Sequence, residues 1–303
     1  MKISVIIPTL NCEKTIGKLL KRLKYQTQKA DEIIVVDSES NDKTVEIAEK
    51  EGAKVLRIRR KEFDHGKTRN LAVENAKGDI IVFLSQDALP YDKYLIQNII
   101  KPLETGDIIA AYGRQIVDEK AKPTEFFARN FNYPKIEIIK SKEDIGKLGI
   151  KTFFFSNVCS AIKKEGFEQV GGFPSKIIMN EDMFIAAKFI LSGYKIAYVP
   201  DAKVIHYHNY TIWEQFKRNF DIGVFFADNN WILRYARAED EGFKYFKEQL
   251  RFLWKEKKEW ILYGILENIF RYAGYRLGLN HKYIPLSIKL FLSMNENYWL
   301  EEN

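Results

Sequence analysis

Asp79-Ile80-Ile81-Val82-Phe83-Leu84-Ser85-Gln86-Asp87-Ala88 is the stretch that decides the fold. Its five consecutive apolar residues, mostly β-branched or aromatic, predict a strand buried on both faces, the kind found in parallel sheets covered by helices. The run stops at Asp87. In open α/β sheets ligands bind beyond the carboxyl ends of the strands, so a carboxylate at this point faces the binding crevice. Asp87 therefore reads as a ligand for a divalent metal, or as an ordinary turn residue ahead of Pro90.

Upstream, Lys2 to Pro8 predicts a first buried strand, followed by the loop Thr9-Leu10-Asn11. Thr15, Ile16, Leu19, Leu20 and Leu23 fall at helical spacing. A second strand, Glu32 to Val36, stops at Asp37-Ser38-Glu39-Ser40, and Asn41 or Asp42 caps a helix that closes at Gly52. A third strand, Lys54 to Ile58, and a helix around Thr68 to Ala76 lead back to the opening strand. Right-handed crossovers turn this βαβαβαβ progression into a doubly wound, mostly parallel α/β sheet with helices on both faces. Three strand ends then place Thr9, Asp37 and Asp87 on one rim. A nucleotide bound there needs an acceptor for its base or ribose and a cation for its diphosphate. Asp37 suits the first role and an Asp87-bound metal the second, although Asp37 equally suits a helix-entry turn. Arg69 can reach a base or phosphate with its planar fork, or serve as a solvated helix cation. No G-x-G-x-x-G follows the first strand and no G-x-x-x-x-G-K-[ST] occurs, which argues against a dinucleotide fold and against a P-loop protein.

Downstream, a helix carrying Leu95, Ile99 and Ile100 leads to a strand from Ile108 to Tyr112. Gly113 to Gly149 is less regular and reads as a lid over the site or a layer covering a sheet edge. Phe153 to Ile162 predicts another buried strand. Asn180-Glu181-Asp182 opens a helix; its two acids complement the helix dipole, or one of them serves as a general base. A short strand, Lys195 to Tyr198, precedes Val204-Ile205-His206-Tyr207-His208, where alternation puts His206 and His208 on one face. Such a pair completes a metal site, binds a diphosphate, or packs as structural histidines.

The chain of 303 residues has 46% hydrophobic and 29% charged residues, the balance of an ordinary globular protein. Cys12 and Cys159 are too few for a disulfide framework and read as packing residues. Met1-Lys2-Ile3 runs straight into a strand pattern, which predicts no signal peptide. Glu267 and Arg271 interrupt the longest apolar run, Trp260 to Leu277, so no spanning helix is expected and the protein is expected in the cytoplasm. Of the net charge of +7, six units lie before Thr211 and one after it. That distribution favours an anionic small substrate, or an anionic lipid surface near the site, over a basic anchoring tail. A basic stripe with interleaved aromatics is missing, which argues against nucleic acid. From Thr211 on, the chain turns helical and aromatic. Helices this apolar pack on the catalytic domain, form a homodimer or lie on a membrane, and near-neutral charge favours the first two.

Taken in order, several motifs resemble family 2 glycosyltransferases of the GT-A fold, in the bacterial rhamnosyltransferase-like branch. They are Val5-Ile6-Ile7-Pro8-Thr9, Val35-Val36-Asp37-Ser38, Lys67-Thr68-Arg69-Asn70, Phe83-Leu84-Ser85-Gln86-Asp87-Ala88-Leu89-Pro90, Gly113-Arg114-Gln115, Phe155-Ser156-Asn157, Gly171-Gly172-Phe173-Pro174, Asn180-Glu181-Asp182-Met183 and His206-Tyr207-His208-Asn209-Tyr210. The resemblance implies a GT-A catalytic domain over residues 1–210 and a helical region over 211–303. Thr9, Asp37, Arg69 and Gln86 would hold the nucleotide sugar, and Asp87, with His206 or His208, would bind Mg²⁺ or Mn²⁺. Asp182 would be the base, with Glu181 binding the acceptor or orienting its neighbour. Where the family carries Asp-x-Asp, this chain has Ser85-Gln86-Asp87 and keeps only the second carboxylate. The implied activity is inverting transfer of a sugar, L-rhamnose from dTDP-rhamnose first, onto a glycan or lipid-linked acceptor of a surface polysaccharide, at the inner face of the cell membrane. A different UDP-, GDP- or dTDP-sugar, and a non-catalytic nucleotide-sugar-binding scaffold, are the alternatives. A nucleotidyltransferase should carry a glycine-rich phosphate loop where Thr9-Leu10-Asn11-Cys12 stands.

Overall fold

A computed structural model describes residues 1–104 and 106–300. Its first part follows the expected alternation: β1 (Ile3–Thr9), α1 (Glu13–Lys24), β2 (Glu32–Asp37), α2 (Thr44–Lys50), β3 (Lys54–Arg57), α3 (His65–Glu74) and β4 (Ile80–Leu84). There follow β5 (Leu89–Pro90), α4 (Leu95–Ile100), β6 (Ile108–Ile116), α5 (Pro123–Asn132), β7 (Ile138–Lys140), α6 (Ile145–Leu148), β8 (Cys159–Lys163), α7 (Lys164–Gln169), α8 (Glu181–Leu191) and β9 (Lys195–Ile205). Helices α9 (Ile212–Asp228), α10 (Ala238–Glu256), α11 (Ile261–Leu279), α12 (Leu286–Leu292) and α13 (Glu296–Leu300) complete the described chain.

Among the described residues the strands form one sheet of order β3-β2-β1-β4-β8-β6-β9-β5, with β7 also paired to β9. Strands β3, β2, β1 and β4 run parallel, and all five residues of β4 are buried, as a strand covered on both faces requires. The period of two divides β1 between the two apolar layers: Ile3, Val5 and Ile7 pack with Ile16, Leu19 and Leu20 of α1, whereas Ile6 packs with Phe83, Ile185 and Phe189. Beyond β4 the sheet becomes mixed, because β8 enters antiparallel between β4 and β6.

Three local expectations change. Helix α3 starts at His65, ahead of Thr68, because Asp64 caps it by accepting hydrogen bonds from the Gly66 and Lys67 backbone N–H groups. The strand expected from Phe153 begins only at Cys159, and the stretch before it is a 3₁₀ turn, Gly149–Phe153. The buried Lys140 Nζ donates to the carbonyls of Lys151 and Phe154 and holds this segment off the sheet, so Phe153 and Phe155 reach the core from a loop. Strand β9 runs on to Ile205 past Pro200, with a register shift against β6 between Gly113 and Arg114.

Helices α9 and α11 pack almost backbone to backbone. A Cβ at Gly278 would run into the Phe220 carbonyl oxygen, and one at Gly274 into that of Phe216. Gly278→Ala is therefore expected to destabilise the fold by about 1–3 kcal/mol, seen as a lower urea midpoint at unchanged slope.

Candidate active site

The ends of the parallel strands build the rim. Parallel register sets Thr9 beside Asp37. The Asp37 carboxylate accepts from Thr9 Oγ1 at 3.3 Å, Ser40 Oγ at 2.5 Å and Ser40 N at 2.9 Å. These bonds use Asp37 within its own turn, and its neighbour Ser38 lines the adjoining cavity. The Gln86 amide accepts from Leu10 N at 2.8 Å and donates to Leu10 O at 3.3 Å, pinning the loop after β4 to the loop after β1. Asn11 and Glu39, in the two rim loops, have φ of 48° and 63°, left-handed backbone that non-glycine residues adopt at a cost. The cavity above this rim measures about 570 Å³. On its wall two buried polar atoms, Ser38 Oγ and Arg69 Nε, have no hydrogen-bond partner among the described residues. Unsatisfied donors in a cleft of this size fit a polar ligand.

Asp87, at the cavity floor, meets two imidazoles. His206 Nε2 lies 3.4 Å from Asp87 Oδ1 and His208 Nε2 3.5 Å from Oδ2, with one donor atom from each residue within 4.8 Å of the others. Burial works to raise the Asp87 carboxyl, but the two imidazoles outweigh it and hold it below the ordinary Asp range. Burial, with His206 alongside, pushes His208 down to about 4, so its ring is neutral at pH 7. His208 also stacks on Tyr210, ring centres 5.1 Å apart. Gln115 sets the His206 tautomer: its Oε1 accepts from Arg129 at 2.5 Å and lies 2.9 Å from His206 Nδ1, while its Nε2 donates to Ser156 Oγ and Tyr133 OH. An acceptor oxygen facing Nδ1 holds a proton there, so Nε2, on the Asp87 side, is the nitrogen that would ligate a cation. One carboxylate and two imidazoles make a donor set that fits a divalent cation with positions left for substrate oxygens. Replacing Gln115 by Leu is expected to weaken Mn²⁺ affinity by about 10–100-fold, read by titration calorimetry.

A second cavity, about 480 Å³, adjoins the first. Asp87, Ser85, His65 and Arg69 line both; Asp182 lines only the second. Helix α8 opens from Asn180, whose left-handed φ of 59° suits Asn and turns Glu181 and Asp182 inward. The Glu181 carboxylate lies 3.3 Å from Arg69 and accepts from Asn157 Nδ2 at 3.1 Å. Burial works against its charge, but Arg69, His65 and the Asn157 amide prevail and keep it below the ordinary Glu range. Asp182 goes the other way. Burial and the Glu181 charge push it up to about 7, against backbone N–H donors of Met183 at 2.7 Å and Asn157 at 3.2 Å. A first-turn acid kept for the helix dipole should be lowered, so capping alone does not account for Asp182.

The structure thus gathers Thr9, Arg69, Gln86, Asp87, Glu181, Asp182, His206 and His208 around two joined cavities and keeps Asp37 beneath the rim. Sequence reasoning gave no role to Gln115, though it falls in the Gly113-Arg114-Gln115 motif, and none to Arg129 of α5. The irregular stretch after Gly113 supplies a wall through α5 and edge cover through β7. The C-terminal segment was missed as well. Met294, Asn295 and Tyr298 roof the first cavity, held by Asp221, which accepts from Ser293 Oγ at 2.6 Å, Met294 N at 2.9 Å and Asn295 Nδ2 at 2.9 Å.

Comparison with known proteins places this geometry. The family model described as Glycosyl transferase family 2 matches residues 4–171. The chain belongs to glycosyltransferase family 2. The transferase is 44% identical over 302 residues to the O-antigen chain rhamnosyltransferase RfbN of Salmonella typhimurium, covering 99% of this chain and 96% of that one. It is 40% identical to the O-antigen chain rhamnosyltransferase WbaN of Salmonella anatum, covering 98% and 95%. Among solved structures it resembles the mannosyltransferase PcManGT of Pyrobaculum calidifontis in complex with GDP-Man and Mn²⁺, with a TM-score of 0.66 at 19% identity over 93% of this chain and 88% of that one. S. aureus TarS 1-349 in complex with UDP-GlcNAc gives a TM-score of 0.54 at 17% identity over 94% and 93%. The transferase has the GT-A fold with a helical C-terminal region, and among the described residues no helix is long and apolar enough to cross a membrane.

Proposed function

We propose that the transferase moves L-rhamnose from dTDP-rhamnose, with inversion, onto a glycan or lipid-linked acceptor of a surface polysaccharide, working in the cytoplasm. The observation that carries this reading is Asp87 at the junction of two cavities, with the nucleotide rim in one and Asp182 in the other. Full-length likeness to two O-antigen rhamnosyltransferases supports the choice of sugar.

In this reading the nucleotide lies against Thr9, Ser38 and the free Nε of Arg69 under the Asn295 roof. Asp87, His206 and His208 hold the cation; two imidazoles favour Mn²⁺ over Mg²⁺. When bound, the cation neutralises the charge that develops on the departing nucleoside diphosphate. Asp182 takes the proton of the attacking acceptor hydroxyl, and an affinity for protons centred near neutrality suits that task. A double displacement would need a free carboxylate nucleophile, whereas Glu181 is tied to Arg69 and Asn157 and positions the pair. Gln86 and Asp37 contribute by holding the rim loops. We place the boundary of the catalytic domain near residue 210; the 211–303 region, whose last three residues lie outside the described residues, adds a cavity wall through Gln215 and Arg218 of α9.

The test is a thermal-shift and turnover panel of sugar nucleotides with and without Mn²⁺. The largest Mn²⁺-dependent shift, and release of dTDP on adding acceptor, are expected with dTDP-rhamnose. A larger shift with GDP-mannose or UDP-GlcNAc would overturn the donor assignment.

A further inference from the structure

Helix α11 is built inside out. Its inward positions are small or polar, Gly264, Glu267, Gly274 and Gly278, whereas Leu262, Leu266, Ile269, Phe270 and Leu277 are exposed. Ring contacts carry this apolar face across two more helices: Phe216 lies 6.4 Å from Phe270, Trp213 lies 4.8 Å from Phe216, and Phe291 of α12 lies 5.4 Å from Trp213. Phe291 itself is 63% exposed. A contiguous apolar surface of this kind marks an interaction site.

Charge selects the occupant. Lys217 has its ammonium 5.7 Å from the Phe291 ring centre, and Arg276 and Lys282 stand along the same segment, while Lys289 turns its ammonium over the buried Trp299 ring. Between Ile261 and Leu292 the one acidic residue, Glu267, is buried. The near-neutral balance after Thr211 conceals this excess, because twelve of the thirteen acidic residues there lie outside the span from Ile261 to Leu292. A second copy laid symmetrically on this patch would set cations against cations. Lipid phosphates would meet them, while the aromatic and aliphatic side chains entered the boundary of the acyl region.

We propose that this face of α9, α11 and α12 docks on an anionic phospholipid bilayer. Helix α9 also carries Gln215 and Arg218 into the second cavity, so docking would hold that cavity beside the bilayer; this clause, unlike the docking itself, rests on the functional reading above. The full chain is expected to co-sediment with phosphatidylcholine vesicles containing phosphatidylglycerol, to bind pure phosphatidylcholine far less, and to be released by salt. Ile269→Glu combined with Phe291→Glu, both at exposed positions, should abolish binding without changing the Mn²⁺-dependent nucleotide thermal shift, which also reports folding. Arg276→Gln and Lys282→Gln should each weaken binding about fivefold. Failure to bind the anionic vesicles, binding unchanged in the double variant, or a concentration-dependent dimer that the double variant dissolves would each overturn the proposal. Because sedimentation involves no turnover, loss of docking and loss of rhamnosyl transfer are read separately.

Discussion

Asp182→Asn is expected to bind nucleoside diphosphate and Mn²⁺ as the parent does, and to turn over at least about a hundredfold more slowly. The amide keeps the size of the side chain and one oxygen, which can take the shorter bond from Met183 N–H at 2.7 Å; only the 3.2 Å bond from Asn157 N–H to the second oxygen is lost, so the start of α8 should survive. What it loses is a carboxylate able to accept a proton. Because burial and Glu181 push Asp182 up to about 7, parent kcat should rise with pH through that value, and the variant should lose this rise. Stability supplies an independent readout. A carboxyl whose folded pKa is raised above its ordinary value contributes stability present below the ordinary value and lost as pH rises through about 7. The variant should therefore melt above the parent at pH 8 and lose that advantage near pH 4, the signature of a site held in place for function. Near-normal turnover would move the base elsewhere, and a flat stability difference across this range would remove the strained carboxyl from the account.

Most of the parallel half of the fold was legible because its signals are local. The β4 run, its abrupt stop at Asp87 and the alternation that pairs His206 with His208 all depend on strand periodicity, which sequence displays directly. The Phe153-Phe154-Phe155 run misled for the same reason. An apolar run shows that side chains are buried, whereas it is Lys140, distant in sequence, that decides the backbone is a loop. Asp37 was ambiguous in the same way, since strand end and helix-entry turn are both true of it, and only the bonds to Ser40 decide which one uses the carboxylate. Gln115 and Arg129 lie on different elements and act through a third, His206, so no spacing in the chain announces them. The C-terminal roof was hidden likewise: it depends on Asp221, buried and pushed up to about 6 by that burial, gripping a segment more than a helix length away in sequence.

Asp87→Ala is expected to abolish the Mn²⁺-dependent part of nucleoside diphosphate binding and to lower metal affinity by more than about a hundredfold, beyond the range seen for outer-shell partners. The reason lies in what remains. Ser85 offers only a hydroxyl, so removing Asp87 leaves two imidazoles and no carboxylate in the ligand set. His206 would keep its orientation, because Gln115 and Arg129 hold it from behind, and this makes the loss specific to the ligand set. Calorimetry of dTDP with and without Mn²⁺ separates the effects: the parent should bind far more tightly with the metal, and the variant should bind equally in both conditions. His208→Ala, which spares that buried network, should fall between the two. Equal dTDP affinity for parent and variant in the presence of Mn²⁺ would show that the cation, and with it neutralisation of the leaving group, is held by something other than Asp87.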